Sequence, residues 1–243
     1  MSWSLRPAIV AALAVAACTS CGAGRAATAA LPGPTAGGAP PTAQATTTVP
    51  ATVTTGAAPA PPATSAAGGD PGLLPQTGAV PVKDGQFLAE MAMFWQAVTT
   101  GQVPLAMSAF FPETAYVQLK ALRDDAADWT DRLLAHFELD IQAARHLLGP
   151  DAAMAQLVSV DVGPARWISP GACYNRLGYW NSLNSRVVYT IHGVVYSFGI
   201  AALDGWRGEW YIIHLGSESP PAGAGVVDAP QAGPGLPGGG RGC

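Results

Sequence analysis

Charge is scarce in this chain, and lysine is the scarcest part of it. Asp, Glu, Lys and Arg make up 12% of the 243 residues, about half the share usual for a soluble domain. The net charge of −4 offers no basic field to a polyanion, so nucleic acid is excluded as an expected partner. Two lysines stand against ten arginines, the bias of a high-GC bacterial genome. Cysteine is limited to Cys18, Cys21, Cys173 and Cys243. The one C-x-x-C, Cys18 with Cys21, sits beside a processing signal rather than in a zinc or redox framework. His-x-x-x-His pairs and carboxylate-rich metal loops are missing. His136 and His146 are ten residues apart, about 80° out of alignment on a helix. No metal and no cofactor is expected.

Long hydrophobic runs are missing too. The apolar stretch 7–17 is too short to cross ~30 Å of hydrocarbon as a helix, and with Arg6 ahead of it the stretch has signal-peptide anatomy. It ends in Leu13-Ala14-Val15-Ala16-Ala17-Cys18, small residues before a cysteine, which resembles a bacterial lipobox. Residues 1–17 are expected to be removed and Cys18 to be lipidated as the first residue of the mature chain. Two or three acyl chains, at ~0.8 kcal/mol per buried CH₂, make such an anchor durable. The expected partner is then the membrane, and the location the outer face of the cytoplasmic membrane.

Glycine and proline, by contrast, are abundant and unevenly placed. Residues 22–80 hold ten prolines and eleven threonines with Arg25 and Asp70 as their only charges. Such a composition cannot bury a core. It is expected to act as a tether, roughly 45 Å root-mean-square and up to about 180 Å if fully extended as polyproline II. Its threonine clusters resemble the O-mannosylated stalks of actinobacterial secreted proteins. Residues 220–243 contain eight glycines and five prolines and read as a disordered tail. The expected division is signal peptide 1–17, lipidated tether 18–80, globular domain 81–218 and tail 219–243.

Within the domain the apolar period is helical first and alternating afterwards. Phe87, Met91, Phe94 and Val98 predict a helix capped by Asp84 and ended by Gly101. A short helix is expected over 104–110, another over 115–122, and a long one over 125–148 closed by Gly149-Pro150. Strands are expected over 154–162, 171–180, 186–191, 194–203 and 209–215, with two-residue primed turns at His192-Gly193 and Arg207-Gly208 and a longer loop over 181–185. Helices first and sheet second predict an α+β domain, N-terminal helices packed on a curved antiparallel sheet of about five strands. That element order is similar to the NTF2-like or cystatin-like cone, although no motif of either is present.

The densest blocks are Ala165-Arg166-Trp167-Ile168, Cys173-Tyr174-Asn175-Arg176 and the closing Trp206-Arg207-Gly208-Glu209-Trp210-Tyr211-Ile212-Ile213-His214-Leu215. Over roughly 86–216 these runs resemble a family of actinobacterial cell-envelope lipoproteins with no assigned activity. The resemblance implies the same location and layout and carries over no catalytic residue. Asp161, Tyr174, Arg176 and His214 are the candidates to line a pocket in the sheet, with Trp210 expected at the centre of the core. Cys173 is expected to stay reduced and buried, and Cys243 to find disulfide partners. The leading expectation is a non-catalytic module that binds an envelope protein or a small apolar ligand. The alternative is an NTF2-like isomerase or hydrolase using His214 with Asp161.

Overall fold

The computed structural model describes residues 69–216 and 223–238. The lipobox, most of the Thr-rich tether and Cys243 lie outside the described residues. Helix α1, Gly85–Thr100, starts where the Asp84 carboxylate accepts from the Gln86 and Phe87 amides at 2.9 and 3.1 Å, a cap worth ~1 kcal/mol. It stops at Gly101, whose φ of 76° is the left-handed conformation glycine adopts without strain. Its apolar stripe, Phe87, Met91, Phe94, Trp95 and Val98, is buried. The short helix expected over 104–110 is cut to a 3₁₀ turn, Val103–Ala106. The backbone then extends instead of coiling, because Ala109 and Phe111 exchange hydrogen bonds with Ile212 at 2.8 and 3.0 Å.

Helix α2 is Glu113–Leu119. The long helix expected over 125–148 is present as α3, Asp125–Asp128, and α4, Ala135–Leu148, joined by a π-helical stretch, Trp129–Leu134. In that wide turn Trp129 is buried and its indole N–H donates to the Phe111 carbonyl at 2.9 Å. Along α4 Phe137, Ile141, Ala144 and Leu148 are buried. Phe137 stacks on Phe110 with centroids 4.3 Å apart, while Trp95 of α1 lies 5.2 Å from Tyr189 and 6.5 Å from Phe198 in the sheet. Aromatic pairs in this range add roughly 0.5–1.5 kcal/mol beyond area burial.

All α-helices precede one curved, open antiparallel sheet, and the domain is α+β. The six strands are β1 Gln156–Asp161, β2 Ala165–Ile168, β3 Tyr179–Ile191, β4 Val194–Trp206, β5 Glu209–His214 and β6 Asp228–Ala232. The long hairpin β3–β4 is the spine. Both β1 and β2 lie along the outer edge of β3, and β5 and β6 along the outer edge of β4. Both expected hairpin turns form: His192 and Gly193 have φ of 51° and 78°, Arg207 and Gly208 57° and 94°, positive at both central positions as a type I′ turn requires. Trp210 is buried at 2% exposure.

Three further sequence expectations, two in the sheet region and one at Cys173, differ from the structure. The stretch 171–178 is not a strand, because Gly171, Cys173 and Tyr174 all take positive φ, which breaks extended pairing; the strand before β3 is β2 at Ala165–Ile168. Residues 181–185 are not a loop but the start of β3. Asn181, Ser182 and Ser185 look solvated in sequence and are buried with partners: Asn181 donates to Asp204 of β4 at 2.7 Å and Ser182 meets Ser185 at 3.2 Å. Cys173 is disulfide-bonded rather than reduced, and its partner lies outside the described residues.

The folded unit also reaches beyond 81–218. A strap of residues 69–82 crosses the β4–β5 turn. Trp206 Nε1 donates to the Pro71 carbonyl at 3.1 Å, Gln76 joins Gly205 O and Arg207 N at 2.9 and 2.8 Å, and the Val82 amide donates to Gly208 O at 3.1 Å. Gly205 lets Pro81 press against the strand; a side chain there would collide with the proline ring. At the other end, Asp140, 3% exposed, accepts from the amides of Gly216 and Val226 at 2.9 and 2.7 Å. Buried Arg186 donates to Ala229 O at 3.0 Å and to Ser197 Oγ at 2.6 Å. The Gly/Pro composition of the tail had read as disorder, yet Asp228–Ala232 is an edge strand, the one sheet position that tolerates Pro230.

Candidate functional site

A cavity of about 980 Å³ opens where α1, the 107–113 segment, the β4–β5 hairpin and the strap meet. Phe110, Phe111, Trp129 and Trp206 are among the residues that line it, and Trp129 is the most exposed of the four. Phe111 stands edge-on to both Trp206 and Tyr211, with centroids 6.1 and 6.0 Å away, so this end of the cavity is a packed aromatic frame. The strap residues Asp70, Pro71, Leu73 and Leu74 complete the lining.

Three polar groups stand out against that frame. Glu90 lies one helical turn beyond Gln86, which donates to its Oε1 at 3.0 Å; its Oε2 is buried and has no hydrogen-bond partner. Glu209 opens β5 directly after the Arg207-Gly208 turn, opposite Trp206 in register, and its Oε2 is likewise buried and unpaired. Tyr211, two residues on and therefore on the same strand face, is 1% exposed, and its hydroxyl has no partner. All three line the cavity. Buried polar groups are almost always paired, and each left unmade costs roughly 1–3 kcal/mol.

Electrostatics points the same way. Burial, offset in part by the Gln86 hydrogen bond and reinforced by the charges of Glu209 and Asp84, pushes the Glu90 carboxyl up to about 7. Burial and then Asp84 push Glu209 up to about 6. Tyr211 is raised by burial and by the carboxylates of Glu90, Glu209 and Asp70. The lining also holds Asp70 and Glu113, so four carboxylates stand against the single cation Arg207, whose Nη1 donates to the Pro75 carbonyl. The cavity therefore combines aromatic walls with an uncompensated excess of acceptor oxygens.

The four residues singled out from sequence do not come together here. Asp161 ends β1 opposite Arg186. Tyr174 is 74% exposed beside Cys173. Arg176 donates to Val117 O at 2.9 Å and pairs with Asp125 at 2.8 Å. His214 ends β5, where burial, followed by the charges of Arg132, Lys120 and His136, holds its pKa down to about 3, so the imidazole is neutral at physiological pH. None of the four lines this cavity or a second one, of about 550 Å³, between the His192-Gly193 turn and β6. Among the described residues no group of three or more His, Cys, Asp or Glu could hold a metal, and no helix is long and apolar enough to cross a membrane.

Sequence reasoning missed Glu90, Glu209 and Tyr211. For Glu90 a signal existed: it falls three residues after Phe87 and four before Phe94, an acid on the apolar stripe of α1. For Glu209 and Tyr211 there was none, because β5 is buried on both faces and alternation loses its meaning there. No family model, no curated protein and no solved structure matches the chain.

Proposed function

We propose that this chain is a lipid-anchored ligand-binding module of the cell envelope, held through Cys18, whose folded domain takes a small molecule in the cavity between α1, the β4–β5 hairpin and the strap. One observation carries the reading: a cavity of about 980 Å³, within the ~300–1,000 Å³ typical of ligand sites, has aromatic walls and three buried oxygens without partners. A domain that leaves such groups unpaired gives up stability that a ligand restores. Catalysis by His214 with Asp161 has no such support, since the two residues share neither cavity.

The reading is tested by titrating the full-length chain with the uncharged fluorophore N-phenyl-1-naphthylamine. Saturable enhancement is expected, lost when the cavity mouth is filled by Ser108→Trp with the circular dichroism spectrum unchanged. Non-saturable binding, or binding indifferent to Ser108→Trp, rules the cavity out.

A further inference from the structure

Resting on the binding reading, we infer that the cavity is selective for an organic ammonium ion: a primary amine, protonated, on an apolar or aromatic body. The apolar part suits Phe110, Phe111, Trp129 and Trp206. The demanding part is polar. Glu90 Oε2 and Glu209 Oε2 are buried acceptors with nothing to accept from, and an ionised carboxylate can only accept. The Tyr211 hydroxyl, on a side chain 1% exposed, adds a third unsatisfied oxygen on the same wall. An ammonium group is the compact partner that offers three N–H donors and the opposite charge at once. A neutral ligand would supply hydrogen bonds and leave the acidic excess standing; an anion would add to it. Aromatic faces around a desolvated cation contribute further attraction.

Of the titratable groups around Glu90 the acids reinforce this sign, Tyr211 is neutral, and one cation opposes it. Asp84 stands at the start of its own helix, Glu209 and Tyr211 on β5, Asp70 on the strap and Glu113 at the start of α2. Arg207 is that cation; its Nη1 donates to the Pro75 carbonyl, which leaves its single positive charge in place against the carboxylates of Glu90, Glu209, Asp70 and Glu113. Entry of a cation favours the ionised carboxylates, so Glu90 releases its proton to solvent as the ammonium binds, and affinity rises between pH 6 and pH 8.

The experiment compares 2-phenylethylammonium with 2-phenylethanol by calorimetry on the full-length chain. The ammonium is expected to bind about tenfold more tightly, a difference of ~1.4 kcal/mol. In the doubly isosteric variant Glu90→Gln with Glu209→Gln, whose folding is checked by thermal melt, the advantage is expected to vanish, the two probes binding within about twofold of each other. Proton release at pH 7, read from the dependence of the heat on buffer ionisation enthalpy, is expected for the ammonium alone. Equal affinity of the two probes in the wild-type chain overturns ammonium selectivity but leaves a binding cavity. An advantage that survives in the double variant overturns the role of the two glutamates. If neither probe nor the naphthylamine binds, the binding reading falls with it.

Discussion

Tyr211 is where stability and function are expected to separate most cleanly. Its ring packs edge-on against Phe111, 6.0 Å between centroids, while its hydroxyl is buried and unpaired. Tyr211→Phe keeps the ring and removes the group that pays desolvation for nothing. Chemical melts should show a domain as stable as wild type or up to ~1 kcal/mol more so, with weaker binding of 2-phenylethylammonium. Trp206 is different: it is wholly buried and its indole N–H is used, so Trp206→Ala should lose roughly 3–5 kcal/mol in the same melts. Two titrating groups oppose each other in the acid range. Glu90, lifted from 4.5 to about 7 mainly by burial, binds its proton more tightly in the folded state, so its contribution falls as pH rises from 4.5 to 7. After allowance for its partial exposure this is on the order of 2 kcal/mol. His214, lowered from 6.5 to about 3, is protonated first in the unfolded chain, so its contribution is lost as pH falls from 6.5 toward 3. Glu209, raised from 4.5 to about 6, acts in the same direction as Glu90, so His214→Gln should leave a stability that declines as pH rises from 4.5 to 6.5, and the double variant Glu90→Gln with Glu209→Gln one that climbs over that window; stability against pH, measured by urea melts, checks both slopes.

At the scale of elements, the strap and β6 are the pieces that composition concealed. Helix α1 was legible because stripe, cap and stop agreed, and the two primed turns because His192-Gly193 and Arg207-Gly208 can take positive φ at both positions. The same local reading failed over 181–185 and 228–232. Side chains of loop-like chemistry are buried there by partners far away in sequence, Asp204 for Asn181 and Arg186 for the backbone at Ala229. A fragment cut at 81–218 therefore lacks both the strap side of the cavity and the strand whose Ala229 carbonyl accepts from Arg186. Deleting 225–238 alone leaves that buried guanidinium short of an acceptor and should destabilise the domain by about 3 kcal/mol relative to 69–238, measured by denaturant unfolding of the two fragments.

For the whole molecule, the fold class was legible and the candidate site mostly was not. The order of helices and strands follows from a change of period near residue 150, which sequence displays directly. The cavity depends on where α1, β5 and a proline-containing strap converge, and nothing local in 69–82 records that meeting. Anchoring has its own check: metabolic labelling with a palmitate analogue should mark the wild-type chain and not Cys18→Ala. The strap then acquires a mechanical meaning. The covalent chain continues from Gly69 toward Cys18, so tension applied through the N-terminal side reaches the domain first at Pro71, whose carbonyl is held by Trp206, and at Gln76, held by the β4–β5 turn. These bonds can break one after another, like a peeling tape, and the first to go uncover the aromatic wall. With the proposed anchor at Cys18 and the proposed ligand in place, a pull on the anchor would tend to empty the cavity, and occupancy would fasten the strap.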